Sequence, residues 1–125
     1  MAKKDLVLEL KQKAKDLRKE IITMVYNAQS GHPGGSLSAI DMLVGLYYYK
    51  LRIDPKNPLW QNRDRFVLSK GHCSPAIYAV LADKCYFSKS ELEGYRKIGR
   101  IDSKYYKIPG RKVCEKNCLC PGKNN

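Results

Sequence analysis

Arg63-Asp64-Arg65-Phe66-Val67-Leu68-Ser69-Lys70-Gly71-His72-Cys73-Ser74-Pro75 is the stretch that decides the fold. Phe66-Val67-Leu68 is a short apolar run with charge before it and small or polar residues after it, the pattern of a buried strand. Gly71 follows that run within three residues and lets the backbone turn. Ser74 and Pro75 suit the N-cap and first position of a helix, which should run from Pro75 to about Lys84. The turn invites an anion, since free N–H groups and the positive end of a helix dipole would point at it. Lys70 and His72 add donors at the same place. A phosphate or diphosphate is the natural ligand, and an ordinary strand-to-helix turn is the plain alternative.

Reading outward, Leu6, Leu10, Ala14, Leu17, Ile21, Val25 and Ala28 recur at three- and four-residue steps. That spacing predicts an amphipathic helix over residues 4–28. Ser30-Gly31-His32-Pro33-Gly34-Gly35 should end it and leave His32 on an exposed, rigid loop. Histidine titrates near neutral pH and can move protons or bond hydroxyl groups. The alternative is a helix-ending turn with an incidental histidine. A second helix is expected from Ser38, with Asp41 at N3 spacing. Its body, residues 40–49, is apolar almost all round and so should be buried. Residues 54–58 form a loop. A fourth helix should begin after Ser88, with Glu91 completing a capping box, and end near Gly99. One short strand makes no sheet, so further strands must come from more chain or from a partner.

The chain has 125 residues, enough for one domain or a piece of one. Its net charge of +12 is unevenly spread: +3 over residues 1–20, +2 over 21–95 and +7 over 96–125. The excess therefore belongs mainly to a tail, which is expected to be solvated rather than to bind nucleic acid. Ile21 to Ile40 is an uncharged run of about membrane length, but the Gly-His-Pro-Gly-Gly interruption rules out a membrane span, and no export signal is read at the start. Five cysteines, Cys73, Cys85, Cys114, Cys118 and Cys120, fit reduced thiols in the cytoplasm. Cys114, Cys118 and Cys120 lack the paired spacing of a zinc site; loose thiols are expected there, and no metal ligand is assigned. Serine-hydrolase, metalloprotease and P-loop signatures are all absent. The only two histidines, His32 and His72, both sit in glycine-flanked turns, which favours one shared polar pocket.

Asn27-Ala28-Gln29-Ser30-Gly31-His32-Pro33-Gly34-Gly35-Ser36-Leu37-Ser38 resembles the start of transketolases. Arg63 to His72 resembles their next signature, at the expected distance. The short first helix and the Tyr-rich second one look most like the N-terminal subunit of the split transketolases. The resemblance covers residues 4–104 and implies an α/β class: the N-terminal, mostly helical fragment of a thiamine-diphosphate-binding fold. It implies transfer of a two-carbon ketol unit between sugar phosphates with thiamine diphosphate and magnesium. His32 would bond substrate hydroxyls and assist proton transfer. His72 would contact the cofactor diphosphate, with Lys70 and Gly71 in the same loop. The implied partner is a C-terminal transketolase subunit in an oligomer, with no membrane.

After Ile101-Asp102-Ser103-Lys104 the resemblance stops. The family's third Gly-His-Pro histidine, its Gly-Asp-Gly … Asn-Asn motif and its catalytic glutamate are not in this chain. Residues 1–104 are thus expected to be a truncated diphosphate-binding domain, and residues 105–125 a basic, Cys-containing tail unlike the family. Strong cofactor binding or turnover by this chain alone is not expected. The rival reading is a non-enzymatic interaction module whose basic tail, from Arg96 to Lys112, binds an acidic partner.

Overall fold

Lys3–Ala28 forms one long helix, α1, whose inner face buries Ala14, Leu17, Ile21 and Met24. The structure is a computed structural model and describes residues 3–95 and 111–113. Pro33–Gly45 is α2, and the chain continues through a π-helical turn over Leu46–Lys50. β1 is Phe66–Leu68, followed by a 3-10 turn at Gly71–Cys73 and by α3, Ser74–Asp83. β1 is not the buried strand expected: only Leu68 is buried and Val67, on the opposite face, is 57% exposed. A second 3-10 turn spans Lys89–Gly94, and β2 is Arg111–Val113. The expected end of the fourth helix at Gly99, and Cys114, Cys118 and Cys120, lie outside the described residues.

The three helices pack on one another, and α3 is the centre of the core. Every residue from Ser74 to Ala82 is buried. Its sequence, apolar on all sides, has no polar stripe to turn toward water. The sequence reading gave that role to the second helix. Ile40, Leu43, Val44 and Tyr47 are buried there, but Met42 is 68% exposed and Tyr49 is 67% exposed. α2 therefore lies against the core on one face only.

α1 ends at Ala28, where its spacing predicts, and Gln29 after it takes a left-handed φ of +52° while its N–H bonds the Tyr26 carbonyl at 3.1 Å. The start of α2 does move. Pro33-Gly34-Gly35 does not break a helix but starts one. Proline fits the first position, where its missing N–H is no loss. Ser38 is then inside α2, and its hydroxyl donates back to the Gly35 carbonyl at 3.0 Å instead of capping. The fourth helix is the 3-10 turn, with the Ser88 side chain accepting from the Ser90 N–H.

Arg111–Val113, which the sequence placed in the tail, pairs parallel with β1, Phe66 opposite Arg111. A parallel pair needs a crossover, and α3 lies in that connection. β1 is delivered by a loop that Arg52 and Asp64 close. The Arg52 N–H meets the Asp64 carboxylate at 2.7 Å, and its guanidinium does so at 3.1 Å.

Asp83, at the end of α3, ties four elements together. It receives the Tyr48 hydroxyl from the π turn. Lys13 of α1 approaches at 3.0 Å and Lys89 of the second 3-10 turn at 3.3 Å. Lys84 lies over the Tyr48 ring at 4.8 Å. Burial pushes the Asp83 carboxyl up, but the bonds from Tyr48, Lys13 and Lys89 outweigh it and hold the group below its usual range. The Tyr48 phenol moves the opposite way, raised by burial and then by its bond to Asp83 and the carboxylate's charge.

α2 and the 3-10 turn before α3 meet at Gly35. A Cβ on residue 35 would lie 2.4 Å from the Cys73 sulfur and 3.5 Å from the His72 ring. Cys73 is fully buried, so its sulfur has nowhere to move.

Two outcomes follow from these contacts. Asp83→Asn should cost about 2 kcal/mol in urea unfolding at neutral pH. Its carboxyl titrates lower folded than unfolded, so this stabilisation is complete above the free aspartate value of ~3.9 and drains away as pH falls through the lower folded value. The variant should therefore show a flatter acid limb, and an unchanged acid limb would exclude the cluster. Gly35→Ala should cost about 1–3 kcal/mol with Cys73 present and become nearly neutral in a Cys73→Ala background. Strict additivity of the two substitutions would refute the contact.

Candidate functional site

Two turns, forty positions apart in the chain, bring His32 and His72 together. Their ring centroids are 6.2 Å apart and the rings stand nearly edge-on, at 83°. Both side chains are exposed, so neither is a core histidine.

His32 owes its place to its neighbours. Gly31 takes a φ of +133°, which side-chain-bearing residues rarely adopt. A Cβ there would also come within 3.4 Å of the Tyr95 hydroxyl and of Val25. Tyr95 is 2% exposed and packs edge-on against Tyr78 of α3 at 6.2 Å, so the loop rests on the core. His32 then occupies the N-cap position of α2 and makes no side-chain capping bond, leaving its ring available.

His72 sits in the 3-10 turn between β1 and α3, with Gly71 buried before it. Lys70 is exposed, at the N-cap of that turn. Burial pushes the Cys73 thiol up, while the Lys70 ammonium beside it pulls the other way.

The sequence predicts free N–H groups at this second turn, and the structure corrects that. The Gly71 N–H bonds the Ser69 carbonyl at 3.1 Å, and the Cys73 N–H bonds the Lys70 carbonyl at 2.9 Å. The Ser74 N–H is taken by the Gly71 carbonyl, and Pro75 has none. The tight turn thus spends the Gly71, Cys73 and Ser74 donors internally. Further donors are offered by α2, where Gly34 and Gly35 stand in the first turn, a position with no intrahelical acceptor. Because residue 35 lacks a Cβ, that turn closes against the His72 ring. The site is thus a shared one: two imidazoles, the Lys70 ammonium and the first turn of α2. The buried Ser36 hydroxyl, next in sequence, has no hydrogen-bond partner among the described residues.

This donor set suits an anionic group of two or more charges. Among the described residues no three His, Cys, Asp or Glu side chains cluster. Gly35, Cys73 and Tyr95 escaped the sequence reading. The Gly34-Gly35 pair was a usable signal for close approach, whereas nothing local marks Tyr95.

Residues 10–113 match the family model described as transketolase, thiamine diphosphate binding domain, a span that continues past Lys104 to the end of β2. The chain is 44% identical over 94 residues to the 6-deoxy-6-sulfo-D-fructose transketolase subunit of Clostridium sp. (strain MSTE9), which covers 75% of this chain and 34% of that protein. It is 39% identical over 98 residues to an apulose-4-phosphate transketolase subunit of Phocaeicola vulgatus, covering 77% and 35%. The transketolase from Leishmania mexicana superposes with a TM-score of 0.70 at 30% identity, over 73% of this chain and 14% of that one. This chain therefore spans about a third of the length of the two subunits. With the family model matching most of its length, the chain belongs to the transketolase family, within the thiamine diphosphate-binding domain.

Proposed function

We propose that this chain supplies the diphosphate-binding face of a transketolase that moves a two-carbon ketol unit between sugar phosphates. The observation that carries the reading is the 6.2 Å approach of two exposed histidines from separate glycine turns. His72 and Lys70 would hold the cofactor's diphosphate from one side, with Gly71 setting the turn. The Gly34 and Gly35 N–H groups would face it from the other. His32, with an uncommitted ring at the start of α2, would bond substrate hydroxyls and hold or pass a proton there. When bound, thiamine diphosphate supplies the electron sink for carbon–carbon cleavage, while the protein binds and orients.

Magnesium would have to be held by residues other than those described, so no step is assigned to it here. The same holds for the family's catalytic glutamate, expected on a C-terminal subunit. That two relatives are named as transketolase subunits supports a partnered enzyme. This chain alone is proposed to be catalytically inactive and to bind cofactor weakly. A cytoplasmic setting fits the free thiols of Cys73 and Cys85. No described helix is long and apolar enough to cross a membrane.

Inorganic diphosphate titrated into the full chain, followed by amide and imidazole NMR signals, tests the site. Shifts should concentrate on His72, Gly71, Gly34 and Gly35, and His72→Ala should weaken binding by about tenfold. Shifts confined to residues 96–125 would instead favour the basic-tail interaction module. Turnover by the 125-residue chain with thiamine diphosphate and magnesium, without any partner, would overturn the claim of inactivity.

A further inference from the structure

The outward face of α1 takes no part in the core or in the histidine site. Leu8, Lys11, Lys15, Lys19, Ile22 and Tyr26 recur at three- and four-residue steps and so form one stripe, roughly 27 Å long. Among the described residues it is unpartnered: Leu8 is 56%, Ile22 48% and Tyr26 71% exposed. No carboxylate stands in it, since Asp16 and Glu20 fall roughly a third of a turn farther round the helix.

Midway along the stripe α1 and α2 border a shallow, open groove of about 550 Å³, lined by Lys15, Arg18, Lys19, Ile22, Thr23 and Leu37. Its wall is nearly all apolar, because the polar ends of two lining residues are turned away. The Thr23 hydroxyl donates to the Lys19 carbonyl at 2.9 Å. The Arg18 guanidinium is held by Asp41 at 2.6 Å and by the Leu37 carbonyl at 3.2 Å. Lys15 and Lys19 are different. Neither makes an ion pair among the described residues, and like charges four apart on a helix repel each other. Their aliphatic stems line the groove while their ammonium groups stay at its rim.

We infer that this face docks an acidic amphipathic helix of a partner protein. An apolar side chain of that helix would enter the groove between Ile22 and Leu37, and carboxylates on the same helix would meet Lys15 and Lys19. A bilayer fits less well. Lys11, Lys15 and Lys19 occupy the middle of the stripe, where an interfacial helix needs apolar residues. The inference is independent of the transferase reading.

The test uses the full chain to select from a displayed library of random 18-residue helical peptides, with affinities of the winners then measured by fluorescence anisotropy. Selected peptides should carry Glu or Asp beside Leu, Ile or Phe. The double variant Lys15→Glu/Lys19→Glu should weaken them at least about tenfold. The control Lys50→Glu/Lys56→Glu, exposed charges off the stripe, should leave affinity unchanged. Circular dichroism of each variant checks the fold, and Lys15→Gln/Lys19→Gln replaces the first variant if it unfolds. Winners without carboxylates, or equal weakening by both double variants, would overturn the proposal. So would stripe-dependent binding to phosphatidylserine vesicles with no peptide selected.

Discussion

A sulfur atom and a missing Cβ meet at the join of α2 and the turn before α3, and the site depends on that meeting. The Cys73 sulfur stands 2.4 Å from where residue 35 would carry its Cβ. Any side chain at 35 forces the two turns apart, and with them the two histidines. The constraint is steric, and Cys73 is buried in the core, so its sulfur has little room to give way. Polar geometry at the surface is thus set by packing underneath. Gly31 works in the same way at the other edge, pressed between its own unusual backbone angle and the ring of Tyr95.

The core explains why such close packing holds. α3 is a helix with no polar side, and the rest of the domain must cover it all round. α1, α2 and the second 3-10 turn do so, and Asp83 fastens the far end of α3 to the π-helical turn, α1 and the second 3-10 turn through Tyr48, Lys13 and Lys89. One end of α3 is therefore locked by charge and the other presents His72. A helix fixed at its base can hold a turn at its tip with little freedom, which is what binding an anion between two loops requires.

The strand, the glycine turn and the helix that follow Arg65 were legible because each has a local cause: an apolar run, a residue without a Cβ, and a proline suited to a first turn. α1 was legible from its period alone. The pairing of the histidines was readable only as a coincidence of setting, and the fold supplies the distance. Other features depend on tertiary context. Pro33-Gly34-Gly35 reads equally as a stop or a start, and packing against Cys73 decides for the start. Periodicity marked α2 as buried, yet the fold puts α3, with Ile77, Tyr78, Val80 and Leu81 all enclosed, at the centre. The donors expected at Gly71 and Cys73 are spent within a 3-10 turn, a choice of hydrogen-bond partner that composition does not encode. Arg111–Val113 looked like tail because its charge hides a three-residue strand whose only cause is the open edge of β1.

The most direct test of the account is the distance between the two imidazoles in solution. The chain has only two histidines, so ¹³C-histidine labelling gives a two-ring spectrum with no ambiguity. The account predicts a nuclear Overhauser cross-peak between the rings of His32 and His72 in the folded chain, lost in Gly35→Ala. Two resolved histidine spin systems with no cross-peak, in a chain shown to be folded, would contradict it.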